Sequence, residues 1–302
     1  MSEKVVISGG SGLIGSHLTG LLLKQGYQVV HLSRSIRKDK GAKHYLWDVG
    51  EGKIEEGALQ DAAYIINLAG APLADLRWTA ANKQKMMRSR TASTSLLVRE
   101  LARLGVKPKA FISASGINYY GGDSGEELLR EQSEAGEDFL GSVCRAWEQE
   151  ALRAEEQGIR VVLLRIGIVL STDGGALTQL MLPFRFGLGA ALGSGRQYMS
   201  WIHIDDLCQL FLKAMTDPHM QGPYNAVAPE PVTNAHFSEV LAAALHKPYF
   251  LPALPGVFMK LALGEKAVMV LGSTRASADK LQKAGFAFRY PALEAALHQL
   301  LE

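Results

Sequence analysis

The chain has 302 residues and is 47% hydrophobic, enough to bury a substantial core in one large domain or two unequal ones. Against 30 Asp and Glu it carries 32 Lys and Arg, a formal charge of +2, which gives no broad electrostatic reason to expect nucleic acid or an anionic membrane as partner. Its two cysteines, Cys144 and Cys208, form no CxxC pair and suit a reducing compartment, so a cytoplasmic protein is expected.

The N-terminus enters a strand at Lys4 to Ser8 without the pattern of a signal peptide. Apolar runs, including the one around Phe258 to Leu271, are interrupted well short of the roughly 20 residues a membrane helix needs. No membrane span is expected. Short β-branched runs recur at Val5 to Ile7, Val29-Val30, Tyr64 to Ile66, Phe111-Ile112 and Val161 to Ile166. Helical patterns at Leu13 to Gln25 and Thr79 to Leu104 fall between them and stop at Gly26 and Gly105. That alternation predicts an α/β fold of the doubly wound, Rossmann type, a parallel sheet with crossover helices. Beyond about residue 170 glycines crowd the chain and short, proline-punctuated elements follow, which marks a smaller α/β region on the substrate side. The expected division is a cofactor domain over 1–170, to which about 200–228 returns, and a second region over 171–302.

The first strand leads directly into Ser8-Gly9-Gly10-Ser11-Gly12-Leu13-Ile14-Gly15. Glycines three apart permit a tight turn and let backbone approach a pyrophosphate, which the N–H groups at the helix start would receive. Gly9, Ser11, Gly12, Leu13, Ile14 and Gly15 are therefore candidate cofactor residues. An acid at the end of the second strand would hold a ribose 2′-hydroxyl, but the chain has Leu32-Ser33-Arg34 there. Arg34, with the hydroxyl of Ser33, points to a 2′-phosphate and so to NADP(H). Arg37 and Lys38 read as an ordinary solvated charge run.

An ordered set of motifs resembles the extended short-chain dehydrogenase/reductases and, more closely, their epimerase-like family of NAD-dependent epimerase/dehydratases and cell-division-inhibitor-like proteins. The carriers are Gly9 to Gly15, Trp47-Asp48, Asn67 to Gly70, Ser113 to Gly121, Phe139 to Glu148, Arg165 to Leu170, and Ser200 to Asp206. A tail like that family's C-terminal domain spans about 250–299. The resemblance implies that Asp48 faces the adenine, that Asn67, Leu68, Ala69 and Gly70 close the next strand beneath the cofactor, and that Ser113 and Arg165 lie beside it. It also implies that in the His203 to Asp206 segment the Asp caps a helix.

The usual members carry a Tyr four residues before a Lys, so that both face one side of a helix and the Lys keeps the phenol acidic enough to move a proton. With Glu148 as the register mark, those positions fall on Leu140 and Cys144. Ser115, Tyr119 and Tyr120 are left as candidate catalytic residues. Eight scattered histidines show no HExxH pattern, and no GxSxG is present, so neither metal nor nucleophile-elbow chemistry is expected. Two functions remain open: an NADP(H)-dependent oxidoreductase or epimerase acting on a sugar nucleotide or other carbonyl compound, or a regulatory protein that binds NADP(H) without turnover.

Overall fold

The computed structural model describes residues 2–35, 41–73 and 77–302. Its first half runs β1 (Lys4–Ser8), α1 (Leu13–Lys24), β2 (Gln28–Ser33), β3 (Lys43–Asp48), β4 (Lys53–Ile54), β5 (Ala62–Asn67), α2 (Ala80–Leu104), β6 (Ala110–Gly116), β7 (Leu128–Leu129) and α3 (Phe139–Leu152). There follow β8 (Val161–Ile166), β9 (Ile168–Leu170), α4 (Ala176–Arg185), β10 (Tyr198–Met199), β11 (Trp201–His203), α5 (Ile204–Thr216), β12 (Gly222–Ala226) and β13 (Val232–Thr233). The chain ends with α6 (Asn234–Ala244), α7 (Gly256–Leu263), α8 (Val268–Leu271), β14 (Arg275–Ala276), α9 (Asp279–Lys283) and α10 (Leu293–Leu301).

Two compact units emerge, the first made of Met1–Ser115, Val143–Leu164 and Cys208–Pro223, the second of Gly116–Ser142, Arg165–Leu207 and Tyr224–Glu302. The main sheet has the order β12-β8-β6-β5-β1-β2-β3-β4. From β3 to β6 its pairings are parallel, and the short β4 turns back against β3. Leaving out that hairpin, β3-β2-β1-β5-β6-β8 is the doubly wound Rossmann order. The chain reverses direction across the sheet between β1 and β5, the place where such folds bind ligands, outside the carboxyl ends of the strands.

Val5, Val6, Ile7, Ile65, Ile66, Phe111 and Ile112 are wholly buried, because strands covered by helices on both faces have no solvent side. Helix α2 covers one face with Met86, Leu97 and Leu101. It starts on Thr79, whose side chain accepts from the Asn82 N–H, and stops at Gly105, whose φ of 65° is left-handed. The predicted helices at 13–25 and 79–104 are thus present within a residue. The glycine-rich stretch after 170 contains α4, whose Leu177, Met181 and Phe184 enter the core of the second unit with Trp201, Phe237 and Leu241. Among the described residues no helix is long and apolar enough to cross a membrane.

Candidate functional site

In the first unit, β1 delivers the chain to a turn in which Gly12 N–H donates to Gly9 O at 3.1 Å. Gly9 has a φ of 77°, and a β-carbon there would stand 2.9 Å from the Leu68 carbonyl. One on Gly10 would strike the His31 ring at 2.4 Å, and one on Gly15 would meet Gly9 O at 2.6 Å. These three glycines are required by the protein's own packing. Gly12 is different: it is exposed, its φ is −79°, and an added β-carbon meets only Gly9 O, at 3.4 Å. Helix α1 starts beside it with no side-chain cap and no acid in its first turn. Open glycine backbone at an uncapped helix start suits a pyrophosphate in shape and in charge.

At the end of β2, Ser33 is half-buried with its Oγ 3.2 Å from His44 Nδ1, and Arg34 follows, exposed. Ser33, Arg34 and Ser35 include no acid. Arg37 and Lys38 lie outside the described residues. Asp48, the last residue of β3, is exposed and accepts from the Glu51 N–H at 3.0 Å, so one of its oxygens shapes the turn into β4.

The side chains of two residues expected at the cofactor form hydrogen bonds within the protein. Asn67 is wholly buried: its Oδ1 accepts from Ser8 at 2.7 Å, while its Nδ2 donates to Thr94 at 2.7 Å and to Ser113 at 3.2 Å. Ser113, also wholly buried, donates onward to Ala114 O. The Asn67 and Ser113 side chains thereby tie β1, β5, β6 and α2 together. Leu68 and Ala69 lie half-buried against Gly9, and Gly70 is exposed. Ser115 turns inward as well, donating to Glu148 on α3 at 2.7 Å, with both residues buried. Cys144 is buried in the same unit, as a small core side chain would be.

The other candidates belong to the second unit, where β6 ends in a short turn over Ile117–Tyr120. The Tyr120 hydroxyl donates to Asn225 Oδ1 at 2.8 Å and accepts from Arg165 Nη1 at 2.9 Å. Burial pushes its pKa up to about 12 in spite of the neighbouring Arg165, so the phenol is held neutral. Tyr119 is half-buried, and the Arg165 guanidinium lies 3.4 Å above its ring centre. Of the pair, Tyr119 is the one whose hydroxyl is not locked in the core. Tyr120→Phe is expected to destabilise the protein by about 1–3 kcal/mol, since Asn225 and Arg165 each lose a buried partner. Because the folded pKa is raised, the parent should hold this stability below pH 10 and lose it as pH rises toward 12, while the Phe variant shows no such step; denaturant melts at pH 9 and 11 would register the difference.

The His203 to Asp206 segment is structural, with its roles exchanged from those expected. His203 Nδ1 accepts from the Asp205 N–H at the start of α5, whereas Asp206 reaches away to accept from the Arg289 and Tyr290 N–H groups at 2.8 and 2.9 Å. Sequence reading also missed Arg90, Trp147, Glu131 and Asn225. For Arg90 a signal existed: Met86, Arg90, Thr94, Leu97 and Leu101 follow one helix face, so its charge interrupts a buried stripe.

A parallel sheet of this order, with a glycine loop at its switch point, defines the Rossmann class. Within that class, the chain belongs to the NAD dependent epimerase/dehydratase family, whose model matches residues 5–227, and residues 254–300 match a domain of unknown function, DUF1731. It is 36% identical over 299 residues to the epimerase family protein YfhF of Bacillus subtilis, covering 98% of this chain and 97% of that protein. The human epimerase family protein SDR39U1, crystallised with NADPH, superposes with a TM-score of 0.89 at 32% identity over 99% of both chains. A nucleoside-diphosphate sugar epimerase of Corynebacterium glutamicum gives a TM-score of 0.81 at 33% identity, covering all of this chain and 58% of that one.

Proposed function

We propose that the chain binds NADPH in its first unit and is an oxidoreductase or epimerase acting on a carbonyl group, of which a sugar nucleotide is the leading substrate class. The observation that carries this reading is Gly12: alone of the loop glycines it is left open by the protein itself, at the uncapped start of α1. The NADPH in the human relative and the sugar-nucleotide name of the Corynebacterium one support it.

In this reading, the α1 N–H groups and the Gly9 to Gly12 backbone receive the pyrophosphate, Arg34 and Ser33 receive the 2′-phosphate, and Asp48 lies toward the adenine. The cofactor would supply a hydride as NADPH, or accept one as NADP+, when bound. The chain's own part is to bind, to orient, and to move a proton. Leu140 and Cys144 cannot move it in the manner of a Tyr–Lys pair, and Tyr120 is held neutral in the core. Tyr119, beside the Arg165 cation, is the remaining phenol.

NADPH is expected to bind more tightly than NADH. Arg34→Glu should reduce NADPH affinity about tenfold or more, through loss of a charge-assisted contact and gain of a repulsive one, and leave the melting temperature of the ligand-free protein nearly unchanged. Equal affinity of parent and variant would show Arg34 to be surface charge only. Tyr119→Phe should lower turnover at least tenfold with NADPH affinity intact. The buried Leu140 and Cys144 favour a second reading, in which NADPH is held for regulation without turnover. A screen of sugar nucleotides and carbonyl compounds in which the parent consumes no NADPH would decide for it.

A further inference from the structure

Helix α7 buries none of its residues. It is eight residues long, and a helix so short has little stability of its own in water; in proteins such helices are held by the apolar face they bury. Its sequence, Gly-Val-Phe-Met-Lys-Leu-Ala-Leu, is apolar all round but for Lys260, the composition of a helix that is covered on every side. Yet Val257, Phe258 and Leu261 stand in water.

The exposure extends beyond the helix. Leu254, just before α7, lies beside the loop that follows α4: its N–H donates to Ala191 O at 2.8 Å, and its carbonyl accepts from the Gly193 N–H at 2.9 Å. That loop opens with Phe186 and Leu188, and Phe250 stands four residues before Leu254. Phe186, Leu188, Phe250, Val257, Phe258 and Leu261 are each between 56 and 86% exposed, and all belong to the second unit. With an aromatic side chain presenting about 150–250 Å², the six together hold roughly 800 Å² in water. A monomer seldom keeps more than a few hundred Å² of apolar surface in one patch, whereas about 800 Å² per partner is what a stable protein–protein interface buries.

Charge selects the partner. Lys260 is the one charged residue in 248–264, and 186–195 has none. An anionic bilayer is drawn to clusters of Lys and Arg, and a charged protein to a patch of opposite sign, neither of which this strip offers. A second copy of the chain needs neither: about a two-fold axis the same patch meets itself, and a neutral patch does so without repulsion. Phenylalanine and methionine, present here as Phe258 and Met259, are enriched in the centres of such contacts.

We propose that the chain is a homodimer in which α7 packs against the α7 of a second copy, with Phe186, Leu188 and Phe250 at the margin of the contact. Sedimentation velocity on the full chain, from about 1 to 100 µM, should show a dimer with a dissociation constant of roughly 10 µM or tighter. Leu261→Asp sets a charge in the contact and should raise that constant by about a hundredfold or more. Leu104→Asp, at an exposed leucine of the first unit, should leave it unchanged. Both leucines are exposed, so each variant should melt with the parent at the dilute end of the series, where all are monomers. Hydrogen exchange in α7 should slow as the parent is concentrated and stay fast in Leu261→Asp. A parent that remains monomeric up to about 100 µM overturns the proposal, and binding of that monomer to phosphatidylglycerol vesicles would assign the patch to a lipid surface instead. A dimer left intact by both Leu261→Asp and Phe258→Asp overturns it equally, because its interface lies elsewhere.

Discussion

Gly12→Val is expected to fold and to have lost NADPH binding by at least about a hundredfold, a loss of roughly 3 kcal/mol. The fold should survive because Gly12 has extended backbone angles, φ −79° and ψ 175°, that valine adopts readily, and its β-carbon would enter space bounded only by Gly9 O at 3.4 Å. Binding should not survive, because the branched side chain would occupy the face that a pyrophosphate needs against the backbone. Gly10→Ala gives the contrast: its methyl group would overlap the buried His31 ring, so the expected result is a destabilisation of about 1–3 kcal/mol from overpacking. Isothermal titration of both variants, with melting curves of the ligand-free proteins, separates the two effects. A folded Gly12→Val protein with the parent's affinity would remove the phosphate loop from the site.

Much of the first unit was legible because its physics is local. A buried parallel strand must be apolar along its whole length, so β1, β5 and β8 announce themselves as unbroken runs. A helix that caps on Thr79 and stops at a left-handed Gly105 carries both signals in sequence. Strand β3 gave no such run: only Trp47 is buried in it, its other five residues being half-buried or exposed near the sheet edge. Helix α4 was hidden by the glycines around it and by Pro183 within it. At the candidate site, the loop glycines were read as a group, but sequence spacing cannot tell the three that the packing demands from the one that it leaves open. That distinction depends on Leu68 and His31, which reach the loop only through the sheet.

The polar residues at the strand ends show a related limit. Ser8, Asn67, Ser113 and Ser115 all stand at carboxyl ends of central strands, where a ligand would be sought. Alternation along a strand sends successive side chains to opposite faces, but whether one of them meets a ligand or a helix depends on what crosses above it. Here α2 supplies Thr94 to Asn67, and α3 supplies Glu148 to Ser115. Such partners lie 27 and 33 residues away in sequence, so no local pattern announces them.

Asn67→Leu follows from that network and should have the largest effect on stability. Leucine shares the branched outline of asparagine but is bulkier, so in a site with no solvent exposure overpacking, not cavity formation, adds to the cost. What is lost is the acceptor for Ser8 and the donors to Thr94 and Ser113, three hydrogen bonds among buried groups that find no water in exchange. The expected destabilisation is on the order of 3–5 kcal/mol, with a melting temperature lower by roughly 10 °C. Asn67→Asp should be worse still at neutral pH, because it buries a carboxylate. Since burial raises such a group's pKa in the folded state, its stability is greatest at acid pH and falls as pH rises and the unfolded chain ionises, opposite to a variant that merely lacks a bond. On the folded fraction, NADPH affinity of Asn67→Leu is expected within about threefold of the parent, because the amide it replaces is turned entirely into the protein. A stable Asn67→Leu protein that had lost NADPH would return this side chain to the cofactor and require the network to open when the nucleotide binds.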